Sequence, residues 1–135
     1  MRRLLPLLFL LTGCTTGIQR DVDPIPSVAL GQQFLLGQDV PVSLADTGYL
    51  LRFEKVLEDS RCALGVSCIW EGNARVVLQF IADRDEFTLE LNTSARFATS
   101  ATRGPFRVEL RQLDPTPRAD APTTGYVVTL VVSKS

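Results

Sequence analysis

The 135-residue chain contains no histidine, one methionine, one tryptophan and only two lysines, Lys55 and Lys134. The missing imidazole excludes most. Ser-His-Asp and Cys-His catalysis need it as general base, and it is the commonest protein ligand for metals. An excess of positive charge is also lacking. Fourteen basic residues stand against 15 acidic ones, so nothing compensates the phosphates of a nucleic acid and no nucleic-acid partner is expected. No glycine-rich phosphate loop or calcium loop occurs. Asp83-Arg84-Asp85-Glu86 has too few acidic ligands at the right intervals and reads as a charged turn. A long apolar run is absent as well: Leu4 to Leu11, interrupted by Pro6, falls far short of the ~18 residues of a spanning helix.

What the N-terminus does contain is ordered by type. Met1-Arg2-Arg3 is cationic, Leu4 to Leu11 apolar, and Leu11-Thr12-Gly13-Cys14 a small-residue site that ends in a thiol. A charged start, an apolar core and small residues at a cut point describe an export signal. The last four residues resemble the lipobox of bacterial lipoproteins. That resemblance implies removal of residues 1–13 and a diacylglyceryl thioether on Cys14, the new first residue, so that lipid and no protein segment holds the chain to the membrane. The mature chain would keep 122 residues, one ordinary domain, with 12 basic residues against 15 acidic. Thr15, where an Asp would favour inner-membrane retention in enteric-type bacteria, turns the expectation toward the outer membrane, facing the periplasm in a Gram-negative cell. Residues 14–27, with Pro24 and Pro26 and no apolar period, read as a tether, and residues 28–135 as the folded domain.

With Cys14 lipidated, Cys62 and Cys68 remain, an even pair in an exported chain. Two thiols without histidine do not fill a zinc site, and C-x5-C is not the C-x-x-C of redox enzymes. A structural disulfide is expected.

Strand signals follow one another after the tether. Val28 to Leu36 and Val40 to Leu44 are short β-prone runs. Tyr49 to Val56 sets Leu51 and Phe53 against Arg52 and Glu54. Ala74, Val76, Leu78 and Phe80 share a face, and across the polar connection Ala82-Asp83-Arg84-Asp85 the period-2 set Phe87, Leu89, Leu91 completes a hairpin signal. After a polar loop from Asn92 to Gly104, Phe106, Val108 and Leu110 alternate with charged residues, and Gly125 to Val132 ends the series. No window predicts an amphipathic helix. About seven strands with polar faces predict an all-β, antiparallel, immunoglobulin-like β-sandwich, or else a small β-barrel. Val77, Val127 and Val131 lie opposite the expected core faces, so neighbouring strands would create an apolar patch.

The segment Asp59-Ser60-Arg61-Cys62, five residues, then Cys68-Ile69-Trp70-Glu71-Gly72 is the distinctive stretch. It resembles a group of small exported bacterial proteins, specifically over residues 59–74 and loosely over 46–132, with Ala63 where that group would have proline. The resemblance implies no activity, substrate or catalytic residue. Read physically, the segment is a disulfide-clamped connection between two strands. Trp70 either plugs one end of the sandwich or serves recognition, since Trp and Arg lead interface hot spots. Asp59 and Arg61 are suited to pair with each other or with loop backbone groups.

The candidate binding residues are therefore Asp59, Arg61, Leu64, Trp70 and Glu71. Glu58, Asp59 and Glu71 flank one loop, but carboxylate catalysis needs a sugar-sized cleft that a short sandwich rarely has, so no enzyme is expected. The sequence predicts a lipid-anchored envelope domain that binds a protein or polymer. The alternative is an inhibitor of a protease or lysozyme, with Arg61 or Leu64 on a pre-organised loop. Arg107 and Arg111, on one strand face, read first as a solvated edge that protects the sheet, with contact to an anionic envelope polymer as the alternative.

Overall fold

The computed structural model describes residues 23–135 and is all β. Cys14 and the expected signal segment 1–13 lie outside the described residues. Nine strands run in chain order: β1 (Ser27–Val28), β2 (Gln33–Gly37), β3 (Val42–Leu44), β4 (Leu50–Asp59), β5 (Ala74–Ala82), β6 (Asp85–Asn92), β7 (Ser100–Arg103), β8 (Phe106–Asp114) and β9 (Val127–Lys134). They form a five-stranded sheet, β1-β3-β4-β5-β6, and a four-stranded sheet, β2-β9-β8-β7. The molecule is a β-sandwich, as expected, of nine strands and not about seven, and the two sheets do not close into a barrel. All pairings are antiparallel except β1 with β3.

Period 2 decides what is inside. Leu51 and Phe53 of β4 and Ala74, Val76, Leu78 and Phe80 of β5 are fully buried, against Leu36, Val108, Val128, Leu130 and Val132 of the other sheet. Each buried Val, Leu or Phe contributes about 1.5–3 kcal/mol of transfer free energy. Register shifts between Phe53 and Lys55, between Val56 and Glu58, and between Leu110 and Gln112 interrupt the ladders; such irregularities bend and twist the strand that carries them.

Three sequence expectations need correction. The run Val28 to Leu36 is not one strand. A turn at Leu30–Gln32, with Gly31 at φ 78° and its N–H bonded to Val132 O, sends β1 to one sheet and β2 to the other. The polar stretch Asn92 to Gly104 is not all loop, because Ser100–Arg103 pairs with β8 as an edge strand. No valine patch forms either. Val77 sits in the five-stranded sheet between Lys55 and Glu90, while Val127 and Val131 belong to the other sheet.

The pairings define two ends. At one end lie the turns 45–49, 83–84 and 104–105; at the other lie the connections 60–73, 93–99 and 115–126. The first end closes on aromatic rings: Phe80 stacks on Phe87 and Phe106 at centroid distances of 4.8 and 5.4 Å, and Tyr49 meets Phe106 edge-on at 5.1 Å. The second end closes on polar contacts and a disulfide.

Candidate functional site: the disulfide-clamped end

Cys62 and Cys68 are bridged, with Cα atoms 6.0 Å apart. The bridge closes a seven-residue ring of chain whose backbone is fixed on two sides. The Cys62 amide donates to Glu71 O at 2.8 Å, and the Leu64 amide donates to Pro117 O at 2.8 Å. Leu64 thereby makes an isolated parallel bridge with Arg118, which joins the loop to the 115–126 connection of the opposite sheet.

Asp59 and Arg61 fasten the base. Arg61 donates to both carboxylate oxygens of Asp59, from Nε at 2.8 Å and from the terminal nitrogen at 2.7 Å. Its guanidinium also donates to Leu113 O at 2.6 Å and Pro115 O at 2.8 Å, and the Tyr126 hydroxyl donates to Asp59 at 3.0 Å. Only 12% of the Arg61 side chain and 10% of that of Asp59 are exposed. This set spans both sheets. Burial alone would raise the Asp59 carboxyl, but the hydrogen bonds and charge of Arg61, with the Tyr126 hydroxyl, outweigh it and hold the group below its ordinary value. Burial, then the bond to Asp59, push the Tyr126 phenol up.

Gly72 admits no side chain. Its φ is +74°, and an added Cβ would fall 1.9 Å from Ser60 O and 2.7 Å from the Cα of Arg61. The close approach lets Ser60 and Asn73 bond three times: the Ser60 amide and hydroxyl both donate to Asn73 O, at 2.7 and 2.9 Å, and the Asn73 amide donates to Ser60 Oγ at 3.3 Å. Asn73, buried, reaches the end of β6 by donating to Asn92 Oδ1 at 2.9 Å and the 93–99 connection by accepting from the Ser94 amide at 3.0 Å.

Glu71 and Trp70 complete this layer. The Ser94 hydroxyl donates to Glu71 at 2.6 Å, and that bond, with the backbone and the Arg96 charge, lowers the Glu71 carboxyl. Trp70 is half-buried and carries the Arg96 guanidinium 5.2 Å from its ring centroid, a cation–π contact. It is neither a fully buried plug nor a free recognition side chain.

What the clamp leaves outside is aliphatic. Leu64 is 59% exposed, Val66 48%, and Ile69 fully so. Phe97, next to Arg96, is 53% exposed on the neighbouring connection. Residues 62–70 contain no charged side chain.

Of the residues singled out from sequence, Leu64, Trp70 and Glu71 share this end, with Leu64 alone of the three offering an unengaged side chain. Asp59 and Arg61 also lie at this end but are mostly buried, bonded to each other and to Leu113 O, Pro115 O and the Tyr126 hydroxyl. Asn73, Ser94, Arg96, Val66, Ile69 and Phe97 were missed. A Trp-x-Gly-Asn turn marks Asn73 as a loop residue, but its partners lie about 20 positions downstream, beyond any local signal. Arg107 and Arg111 flank Glu109, at 3.5 and 2.6 Å, on β8, which is an interior strand and not the protective edge first expected. Among the described residues, no group of three or more His, Cys, Asp or Glu is placed to hold a metal ion. Comparison with protein-family models, with curated proteins and with solved structures finds no match.

Proposed function

We propose that the protein is a lipid-anchored, non-catalytic β domain of the bacterial cell envelope, whose contact surface is the disulfide-clamped end. The anchor rests on the lipobox-like Leu11-Thr12-Gly13-Cys14. The observation that carries the contact surface is the set Leu64, Val66 and Ile69, exposed on a backbone held by a disulfide and by hydrogen bonds to the opposite sheet. A fixed loop loses little conformational freedom on binding, and that saving favours affinity. Non-catalytic character is supported by the carboxylates. Asp59 and Glu71 are both hydrogen-bonded and both held below their ordinary values, whereas a general acid needs a raised one.

Cell fractionation of the full chain tests the anchor. Wild type is expected in the membrane fraction and Cys14→Ser in the soluble one; an unchanged distribution contradicts it. Inhibition of an envelope-attacking protease or lysozyme is a second reading, favoured by Leu64 standing out from a clamped loop. It now depends on Leu64 without Arg61, and a panel of such enzymes unaffected by the protein would remove it.

A further inference from the structure

The exposed large hydrophobic residues of this sandwich are not spread evenly between its two ends. Of the eight among the described residues, Leu64, Val66, Ile69 and Phe97 lie together on the connections of the clamped end, Ile25, Leu35, Val40 and Leu57 stand apart from them, and none lies on the turns 45–49, 83–84 or 104–105 at the opposite end. That opposite end carries Asp83, Arg84, Asp85 and Glu86, all exposed. A surface meant only for water has no reason for this polarity, and grouped exposed aliphatics mark a contact with protein or membrane.

The direction of the chain favours membrane. β1 runs parallel to β3 and therefore antiparallel to β4, so the backbone upstream of Ser27 points toward the end where β4 delivers its loop. Asp23 and Ile25 precede prolines and are confined to extended conformations, which continue that line. Ser27 pairs level with Ser43 and hence Leu50, nine residues along β4 from Asp59. At ~3.3 Å per residue that is about 30 Å. The 13 residues from Cys14 to Ser27 reach about 43 Å at full extension. A lipid on Cys14 is thus able to lie level with the clamped loop or beyond it, on the side toward which the chain already points.

We infer that Leu64, Val66, Ile69 and Phe97 dock into the interfacial layer of the same bilayer that holds the Cys14 lipid, with Trp70 and Arg96 at headgroup level. The inference rests on the anchorage proposed above and names what the contact surface touches. Tryptophan and arginine suit that level, an amphipathic ring and a cation above an apolar floor. Docking is shallow. The Cys62, Leu64 and Val66 amides are bonded within the protein, but a loop is not an α-helix or a closed barrel, and its remaining backbone groups need the water and headgroups of the interface. It is also insensitive to lipid charge: around the uncharged loop Arg96 and Arg118 are matched by Glu71 and Asp120, so neutral phosphatidylcholine suffices. A short tether supplies a high effective concentration, so a weak contact is enough.

Trp70 is the chain's only tryptophan and reports on its neighbour Ile69. With Cys62 and Cys68 bridged, Cys14 is the one free thiol of residues 14–135. It allows coupling to a maleimide phospholipid in phosphatidylcholine vesicles whether or not cells lipidate it. In the coupled protein, Trp70 emission is expected to shift to the blue and to be quenched by lipids brominated at shallow acyl positions, and equally so when anionic lipid or salt is added. Ile69→Asp, at a fully exposed site that threatens no packing, is expected to lower the docked-to-undocked ratio about tenfold or more, as is Leu64→Asp. A second probe, Ile69→Trp with Trp70→Phe, is expected to be quenched more strongly than Trp70 itself. Absent quenching, or quenching unchanged by Ile69→Asp, in protein that is folded by circular dichroism overturns bilayer docking and leaves this end to a protein partner. Flotation of the cell-made chain with membranes reads the anchor separately, so failure of either is recognisable.

Discussion

The two ends of this sandwich are closed by opposite chemistries and present opposite surfaces. The end with the turns 45–49, 83–84 and 104–105 closes on Tyr49, Phe80, Phe87 and Phe106 and shows charge to solvent. The other closes on Arg61, Asp59, Asn73, Tyr126 and a disulfide and shows Leu64, Val66 and Ile69. A loop normally hides its aliphatic residues because they are what holds it. Here hydrogen bonds, an ion pair and a covalent bridge hold the loop, so its aliphatic residues are free to face outward.

The contrast is broken most severely at Gly72. Gly72→Ala places a methyl group against Ser60 O, and the expected loss is about 4 kcal/mol or more, a large part of the ~5–15 kcal/mol that holds such a domain together. Thermal unfolding followed by circular dichroism measures it, and a near-normal melting temperature would show that the Ser60–Gly72 approach is dispensable.

Next comes the ion pair. Arg61→Ala leaves the mostly buried Asp59 carboxylate without its cation and is expected to remove about 3 kcal/mol. Asp59→Asn gives a smaller loss with a pH signature. The Asp59 carboxyl is held lower in the folded protein than in the unfolded chain, so its contribution is fully present above the ordinary Asp value of about 3.9 and is lost as pH falls through the folded value. Wild type therefore loses stability on acidification below about pH 4 more steeply than Asp59→Asn does. Parallel curves from denaturant titrations would place the acid sensitivity elsewhere.

Removing the bridge by Cys62→Ala with Cys68→Ala is expected to give the smallest loss, about 2 kcal/mol for so short a loop, and to leave the aromatic end untouched. Near-ultraviolet circular dichroism from Tyr49, read in a Tyr126→Phe background, should persist. Collapse of that signal would mean the two ends are not independent.

Much of the sandwich was legible because alternation is local. Leu51 with Phe53, the Ala74-to-Phe80 face and the hairpin around Asp83-Arg84 were readable from period 2, and the bridge from the even pair of cysteines left beside Cys14. Partition between sheets was not. Nothing near Gly31 says that the next strand crosses over, and edge strand β7 lacks apolar alternation because both its faces are largely exposed or half-buried. The clasp escaped for the same reason at longer range: Arg61 finds its carbonyl acceptors 52 and 54 residues away, and Tyr126 reaches Asp59 across 67. Sequence could name Asp59 and Arg61 as special, but only the fold shows them fastened to each other and to the opposite sheet, beneath the proposed contact surface.

Amide hydrogen exchange of the lipid-coupled protein, on vesicles and in detergent-free solution without them, compares both ends at once. The account predicts that vesicles add protection at residues 62–71 and 93–98 and leave 45–49 and 83–86 unchanged. Protection at the charged end, or at neither, would contradict it.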